Sequence, residues 1–247
     1  MNRLTFLFLA FFLSSCAGTY NFAWFSINPF HPQGSSNIEF LIGGLWTTIW
    51  ISIVSLVLAA VVGLMITLPN FSSKKSIRSI NLVYVEIFRA IPVLVLLLWI
   101  YYGLPSIFGG GLSFNPFVAG VITLVLHESA FISEIYRSGI QAIKKGQIEA
   151  ARSLGLKPSL VFLKVTLPQA IRIITPALMN QGIYILKMSS LISVIGLGDL
   201  TRRANELIVT TYRPLEIYSF LVLEYLVLIL IISYFVRKIE KKLKVNS

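Results

Sequence analysis

Four runs of this chain are long, apolar and almost free of charge, and no soluble fold has a use for them. They span roughly 41–68, 80–103, 116–136 and 215–236, and each approaches or exceeds the ~20 apolar residues that carry a helix across a bilayer core. A fifth run, roughly 169–195, is apolar but holds Arg172 near its start and Lys187 near its end. With hydrophobic residues at 56% and charged ones at 13%, the 247 residues leave no room for a second, soluble domain beside these spans. The expected fold is an all-α membrane protein with five core transmembrane helices.

Charge placement gives the orientation. The net charge of +11 is concentrated in a few loops, which fits membrane topology and argues against nucleic-acid binding. Lys74, Lys75 and Arg78 separate the first two runs; Lys144, Lys145, Arg152, Lys157 and Lys164 separate the third and fourth; Arg237, Lys238, Lys241, Lys242 and Lys244 follow the last. Segments 17–40 and 104–115 hold no Lys or Arg. Basic residues are retained on the cytoplasmic side, so the C-terminus is expected inside. The stretch 196–214 is the exception: Arg202, Arg203 and Arg213 face Asp199 and Glu206 on the outer side, as docking charges or as a solvated loop.

These features divide the chain into four parts. Residues 1–16 read as a short signal-like or anchor segment: Met1-Asn2-Arg3 supplies a positive end, and Leu4 to Leu13 has the length of a signal h-region. Leu13-Ser14-Ser15-Cys16 is similar to a lipobox, which makes Cys16, the one cysteine, a candidate for lipidation; an uncleaved anchor with an incidental cysteine is the alternative. Residues 17–40, with Trp24, Phe25 and two X-Pro pairs, read as an extracytoplasmic loop along the interface, where aromatic rings are at home. A permease-like core follows over 41–236, then a basic cytoplasmic tail at 237–247.

The segment 138–168 is unlike its surroundings: basic, amphipathic and held between two spans. Ile148, Ala151, Leu154 and Leu156 share roughly one helical face. Gly155 can end that helix in a left-handed conformation, and Pro158 suits the first turn of another. Two short helices are therefore expected, either as an interfacial anchor or as a knob that a partner grips.

The spacing here is informative. Glu149-Ala150-Ala151, then Gly155, then Val165-Thr166-Leu167-Pro168 resembles the EAA loop of ABC importer permeases. The polar amino-acid branch of that family is matched more widely, by Glu86-Ile87-Phe88-Arg89-Ala90-Ile91-Pro92, Tyr102-Gly103-Leu104-Pro105, Glu134-Ile135-Tyr136-Arg137, Gln141 to Gln147, Leu167 to Arg172, and Leu186-Lys187-Met188-Ser189-Ser190-Leu191. The likeness runs from about 41 to the C-terminus. Val165 stands where the family prefers Ile, Ala90-Ile91 replaces Gly-Thr, and Met188 replaces an acidic or amide residue. These departures touch substrate detail and not membership.

The resemblance implies a type I permease whose residues Glu149, Ala150, Ala151, Gly155, Leu167 and Pro168 couple it to a cytoplasmic ABC ATPase dimer. It also implies a second permease copy or paralogue, an extracytoplasmic solute-binding protein, and a bacterial inner-membrane location. The chain has no phosphate-binding loop, so no cofactor is expected on it, and ATP and Mg belong to the partner ATPase. It is expected to be a transporter subunit and not an enzyme: no nucleophile–base pair or metal-ligand cluster stands out, and no catalytic or metal residue is assigned.

Ionisable residues inside spans are costly and default to functional candidates. Glu128 lies about 16 Å into the third span, near the bilayer middle, and His127 adjoins it. Glu224 is at a comparable depth in the last span. Lys187, with Ser189 and Ser190 beyond it, falls near the outer part of the fourth. These residues form the expected substrate pathway, the carboxylates holding a cation and Lys187 a carboxylate, unless they only tie helices together. Two glutamates at mid-depth favour a basic amino acid such as arginine. Glu86 with Arg89 and Glu134 with Arg137 have the three-residue spacing of ion pairs on one helix face, as an inner gate or as structure. The rival reading is a self-contained secondary transporter or channel using Glu128 and Glu224, and a structural assembly factor is a third.

Overall fold

A computed structural model of the chain describes residues 20–72, 74–109, 111 and 113–243. Cys16 and the signal-like segment lie outside the described residues. Ten helices are used below: α1 Pro32–Ile42, α2 Leu45–Thr67, α3 Lys75–Ala90, α4 Val93–Ile107, α5 Pro116–Gln141, α6 Lys145–Ser153, α7 Pro158–Val161, α8 Leu167–Ser189, α9 Leu200–Thr211 and α10 Pro214–Leu243. Among the described residues there is no strand. Four helical stretches are long and apolar enough to cross a membrane, and a fifth span results if α3 and α4 count as one.

That fifth span corrects an expectation. The run 80–103 is expected as one span; in the structure it is broken, and α3 and α4 meet at a bend of 96°. The cause is Pro92, which has no N–H to give and pushes its predecessor out of the helical region. Ile91 accordingly sits at φ −84° and ψ 125°. Pro105 has a similar, smaller effect within α4: with no N–H to close a regular rung, the helix widens to a π turn at Trp99–Gly103.

Two boundaries also differ from expectation. Residues 17–40 are not a loop throughout, because Pro32 opens α1, which continues almost directly into α2. The basic tail is not separate from the core: α10 runs unbroken through Arg237, Lys238, Lys241 and Lys242.

The centre of the bundle is α2 against α5, with α8 packed on both. Ile51, Leu97, Ile100, Leu124, Ile185 and Ile192 form its main apolar core. Lipid is as apolar as these side chains, so close packing and interhelical hydrogen bonds must hold the helices together. Gly63 provides the close approach: a Cβ there would lie 2.9 Å from Ile132 Cγ2. The polar ties are buried or half-buried. Asn81 Nδ2 donates to Ser133 Oγ at 2.8 Å and to the Ile66 carbonyl at 2.7 Å, and Thr67 Oγ1 donates to Ser133 Oγ at 3.1 Å. Tyr84 and Ser129 hydroxyls meet at 2.7 Å, and Tyr136 donates to the Ala60 carbonyl at 3.1 Å. Ties of this kind contribute about 0.6 kcal/mol each in a membrane bundle. By contrast α10 shows most of its apolar side chains outward, as a helix facing lipid or another membrane chain does.

Candidate functional site

Helix α5 carries the intramembrane site. Glu128 is wholly buried and His127 nearly so. His127 Nδ1 lies 2.8 Å from Glu128 Oε1. Gln181 Nε2, from α8, donates to Glu128 Oε2 in a short hydrogen bond. Both carboxylate oxygens thus have partners, and the site is a joint between two spanning helices. A buried carboxylate is tolerated only with such donors or a cation beside it.

Gln181 escaped sequence reasoning, which weighed only ionisable residues and the hydroxyls after Lys187. An amide with no local partner in an apolar run was the available signal.

The other pathway candidates have no contact with this joint. Glu224 lines a separate cavity of about 320 Å³ with Ile42, Leu45, Phe220, Leu223, Val227, Leu228 and Ile231. Its Oε2 is buried with no hydrogen-bond partner among the described residues. Lys187 is exposed, and no ion pair engages it among the described residues. The hydroxyls of Ser189 and Ser190 donate to the carbonyls of Leu186 and Lys187, one turn back on their own helix.

Toward the far end of α5, charges line a polar cavity. Arg137 holds Glu134 with two bonds, Nε to Oε1 at 3.0 Å and Nη2 to Oε2 at 2.6 Å, as the spacing predicted. The expected Glu86–Arg89 pair does not form. Arg89 instead lies over the Phe131 ring, 5.1 Å from its centre, because a cation–π seat on α5 is within its reach.

The segment 138–168 folds as its punctuation predicts. Helix α6 ends at Ser153, Gly155 takes φ +79°, and Pro158 opens α7. Only glycine takes that φ without a steric cost. The apolar face departs from expectation: Ala151 is buried, but Leu154 is 83% exposed. A large apolar side chain held out beside a chain reversal is free to enter a groove on another protein. Pro168 has no N–H, and a π turn at Phe162–Thr166 absorbs the irregularity before α8. Leu167 and Pro168 lie at that junction, and Glu149 and Ala150 are exposed on α6.

The opposite end of the bundle is tied tightly. Asp199 caps α9, its Oδ1 accepting from the Arg202 N–H at 2.8 Å. It is fully buried, which contradicts the solvated-loop alternative for this charge. Burial pushes its carboxyl up to about 7, against the pull of backbone N–H groups and Arg202. Arg202 Nε bonds Glu206 at 2.7 Å, and Arg203 Nη1 donates to the Phe40 carbonyl at 3.0 Å. Glu216, which sequence reasoning missed, is buried at the start of α10 and accepts from Tyr20 Oη and, at 2.6 Å, from the Ala23 N–H.

Residues 59–245 match the family model of binding-protein-dependent transport system inner membrane components. The arginine transport system permease protein ArtQ of Bacillus subtilis (strain 168) is 38% identical over 210 residues, covering 85% of this chain and 95% of ArtQ. The glutamine transport system permease protein GlnP of Escherichia coli (strain K12) is 36% identical over 208 residues, covering 84% and 94%. Among solved structures, an amino acid ABC transporter crystallised with histidines superposes with a TM-score of 0.83 at 37% identity, covering 90% of this chain and all of that one. The methionine transporter MetNI shares the fold at 21% identity and a TM-score of 0.71.

Proposed function

We propose that this chain, which belongs to the binding-protein-dependent transport system inner membrane component family, carries polar amino acids with a preference for basic ones. It is the membrane-spanning permease subunit of an ABC importer, and hydrolysis of ATP falls to a partner chain. The relatives that suggest the cargo are named for arginine and for glutamine. The observation that carries the preference is Glu128, a fully buried carboxylate shared between α5 and α8 through Gln181. In the working cycle, separation of α5 from α8 opens that carboxylate to the substrate cation.

The remaining parts follow from the same reading. Two cytoplasmic ATPases grip the segment 138–168, with Leu154 entering their groove and Glu149 and Gly155 setting its shape. A second permease copy or paralogue completes the pathway in a bacterial inner membrane, and a solute-binding protein delivers cargo at the end that carries α9.

The test is uptake of labelled L-arginine by proteoliposomes holding the permease, its ATPase and its binding protein. Glu128→Gln is expected to raise KM at least about tenfold, the factor given by ~1.4 kcal/mol of lost charge pairing. ATP-dependent uptake that is untouched by Glu128→Gln sinks the site. Uptake that follows an ion gradient and ignores ATP favours the secondary-transporter reading.

A further inference from the structure

We propose that the polar cavity beside Phe131 is a second, weaker binding station for the same amino acid, between Glu128 and the coupling segment. The idea rests on the amino-acid permease reading above. The cavity measures about 340 Å³ and is lined by Asn70, Asn81, Glu86, Arg89, Glu134 and Arg137 with two apolar neighbours. That is near the lower end of small-molecule pockets, the size range a single amino acid needs.

Its charges are unequally used. Glu134 and Arg137 satisfy each other, and Arg137 Nη1 also donates to Gln141 Oε1 at 3.1 Å. Glu86 and Arg89 are one turn apart on α3 and line the same space, yet neither takes part in an ion pair among the described residues. A carboxylate without a counter-charge and a guanidinium held only by its seat on the Phe131 ring, one helical turn apart, are the complement of a zwitterion. Glu86 takes the α-ammonium, and Arg89 takes the α-carboxylate through two parallel N–H donors. Asn70 Nδ2 is buried with no partner among the described residues and is a further donor at the same wall.

Position makes this a station on a path. Glu134 and Arg137 lie about 9 and 13.5 Å beyond Glu128 along α5, at about 1.5 Å per residue. The Phe131 ring bridges the interval. It packs on the His127 ring at 5.2 Å between centres and receives the Arg89 guanidinium at 5.1 Å. A substrate leaving Glu128 therefore meets Arg89 next. A substrate bound there bridges α3 and α5 one turn before α5 gives way to α6, so occupancy is felt by the coupling segment.

The discriminating experiment is equilibrium binding of labelled L-arginine to the purified permease–ATPase complex in nanodiscs. Two classes of site are expected in the wild type. Glu128→Gln abolishes the tighter class and leaves the weaker one. Glu86→Gln or Arg89→Gln weakens the weaker class at least about tenfold while sparing the tighter one, and Arg89→Lys restores part of it. Agmatine, which lacks the α-carboxylate, fails to compete at the weaker class. A single class of site that Glu128→Gln removes entirely overturns the station and leaves the permease reading standing. Loss of the tighter class in Glu86→Gln, with unchanged thermal stability, also overturns it. No amino-acid binding by any form overturns both.

Discussion

The two ends of this bundle are held by opposite means. At the α9 end, side chains far apart in sequence close on one another: Tyr20 and Ala23 on Glu216, Arg203 on Phe40, and the Leu200 N–H on Thr48 Oγ1 at 3.2 Å. At the other end, α6 and α7 contribute Ala151 and Val161 to the interior and leave Leu154, Glu149 and Arg152 outside. Side-chain hydrogen bonds within α6 stay local, as in Ser153 to the Glu149 carbonyl. One end is closed by contacts distant in sequence, and the other leaves an apolar side chain exposed. Mutations at the first should therefore be read in stability, and mutations at the second in transport.

The largest stability effect is expected at Glu216. Glu216→Ala removes the acceptor of the buried Ala23 N–H, and a buried donor left unpaired costs about 1–3 kcal/mol. The thermal midpoint of the purified permease in detergent should fall by several degrees. An unchanged midpoint would mean that the contacts of Tyr20 and Ala23 with Glu216 contribute nothing and that the contrast between the ends is only apparent.

Gly155→Val is the matching test at the other end. Valine at φ +79° is strained by roughly 1–2 kcal/mol, so the reversal between α6 and α7 opens. The segment supports little of the interior, and the thermal midpoint should barely move. Uptake and substrate-stimulated ATPase activity should fall about tenfold, which corresponds to 1.4 kcal/mol in the docked geometry. A fall in stability with normal coupling would reverse the assignment of the two ends.

The contrast also separates what could be read from the sequence. Hydropathy fixed the spans, because their signal is local and needs no knowledge of packing. The turn between α6 and α7 was legible for the same reason: Gly155 and Pro158 act through their own φ angles. Pro92 was visible but its consequence was not, since an apolar run with one proline reads equally as a kinked span or as a broken one. Arg89 shows where local reading fails. Its three-residue spacing from Glu86 suggested a pair, but a ring on a different helix lay closer, and only tertiary structure supplies that ring. The roles of Gln181 and Glu216 were hidden for the same reason, because both depend on partners more than fifty residues away.

The smallest effect, and the one that sharpens the comparison furthest, concerns Asp199. Its folded carboxyl titrates at about 7 where the free side chain titrates at 3.8, because burial penalises the charge. The folded state thus holds a proton that the unfolded chain has released throughout that interval. Stability should fall as pH rises from about 4 to about 7 and then level off. Asp199→Asn keeps an oxygen to cap α9, since Asn caps as well as Asp, but it has no proton to lose. The variant should therefore lose part of the wild-type slope of thermal midpoint against pH between 5 and 7 and match or exceed wild-type stability at pH 8. Parallel slopes for the two proteins would place the titration elsewhere. A matching loss of slope would mean that the tied end carries one unsatisfied charge, with Asp199 Oδ2 as the atom left without a partner.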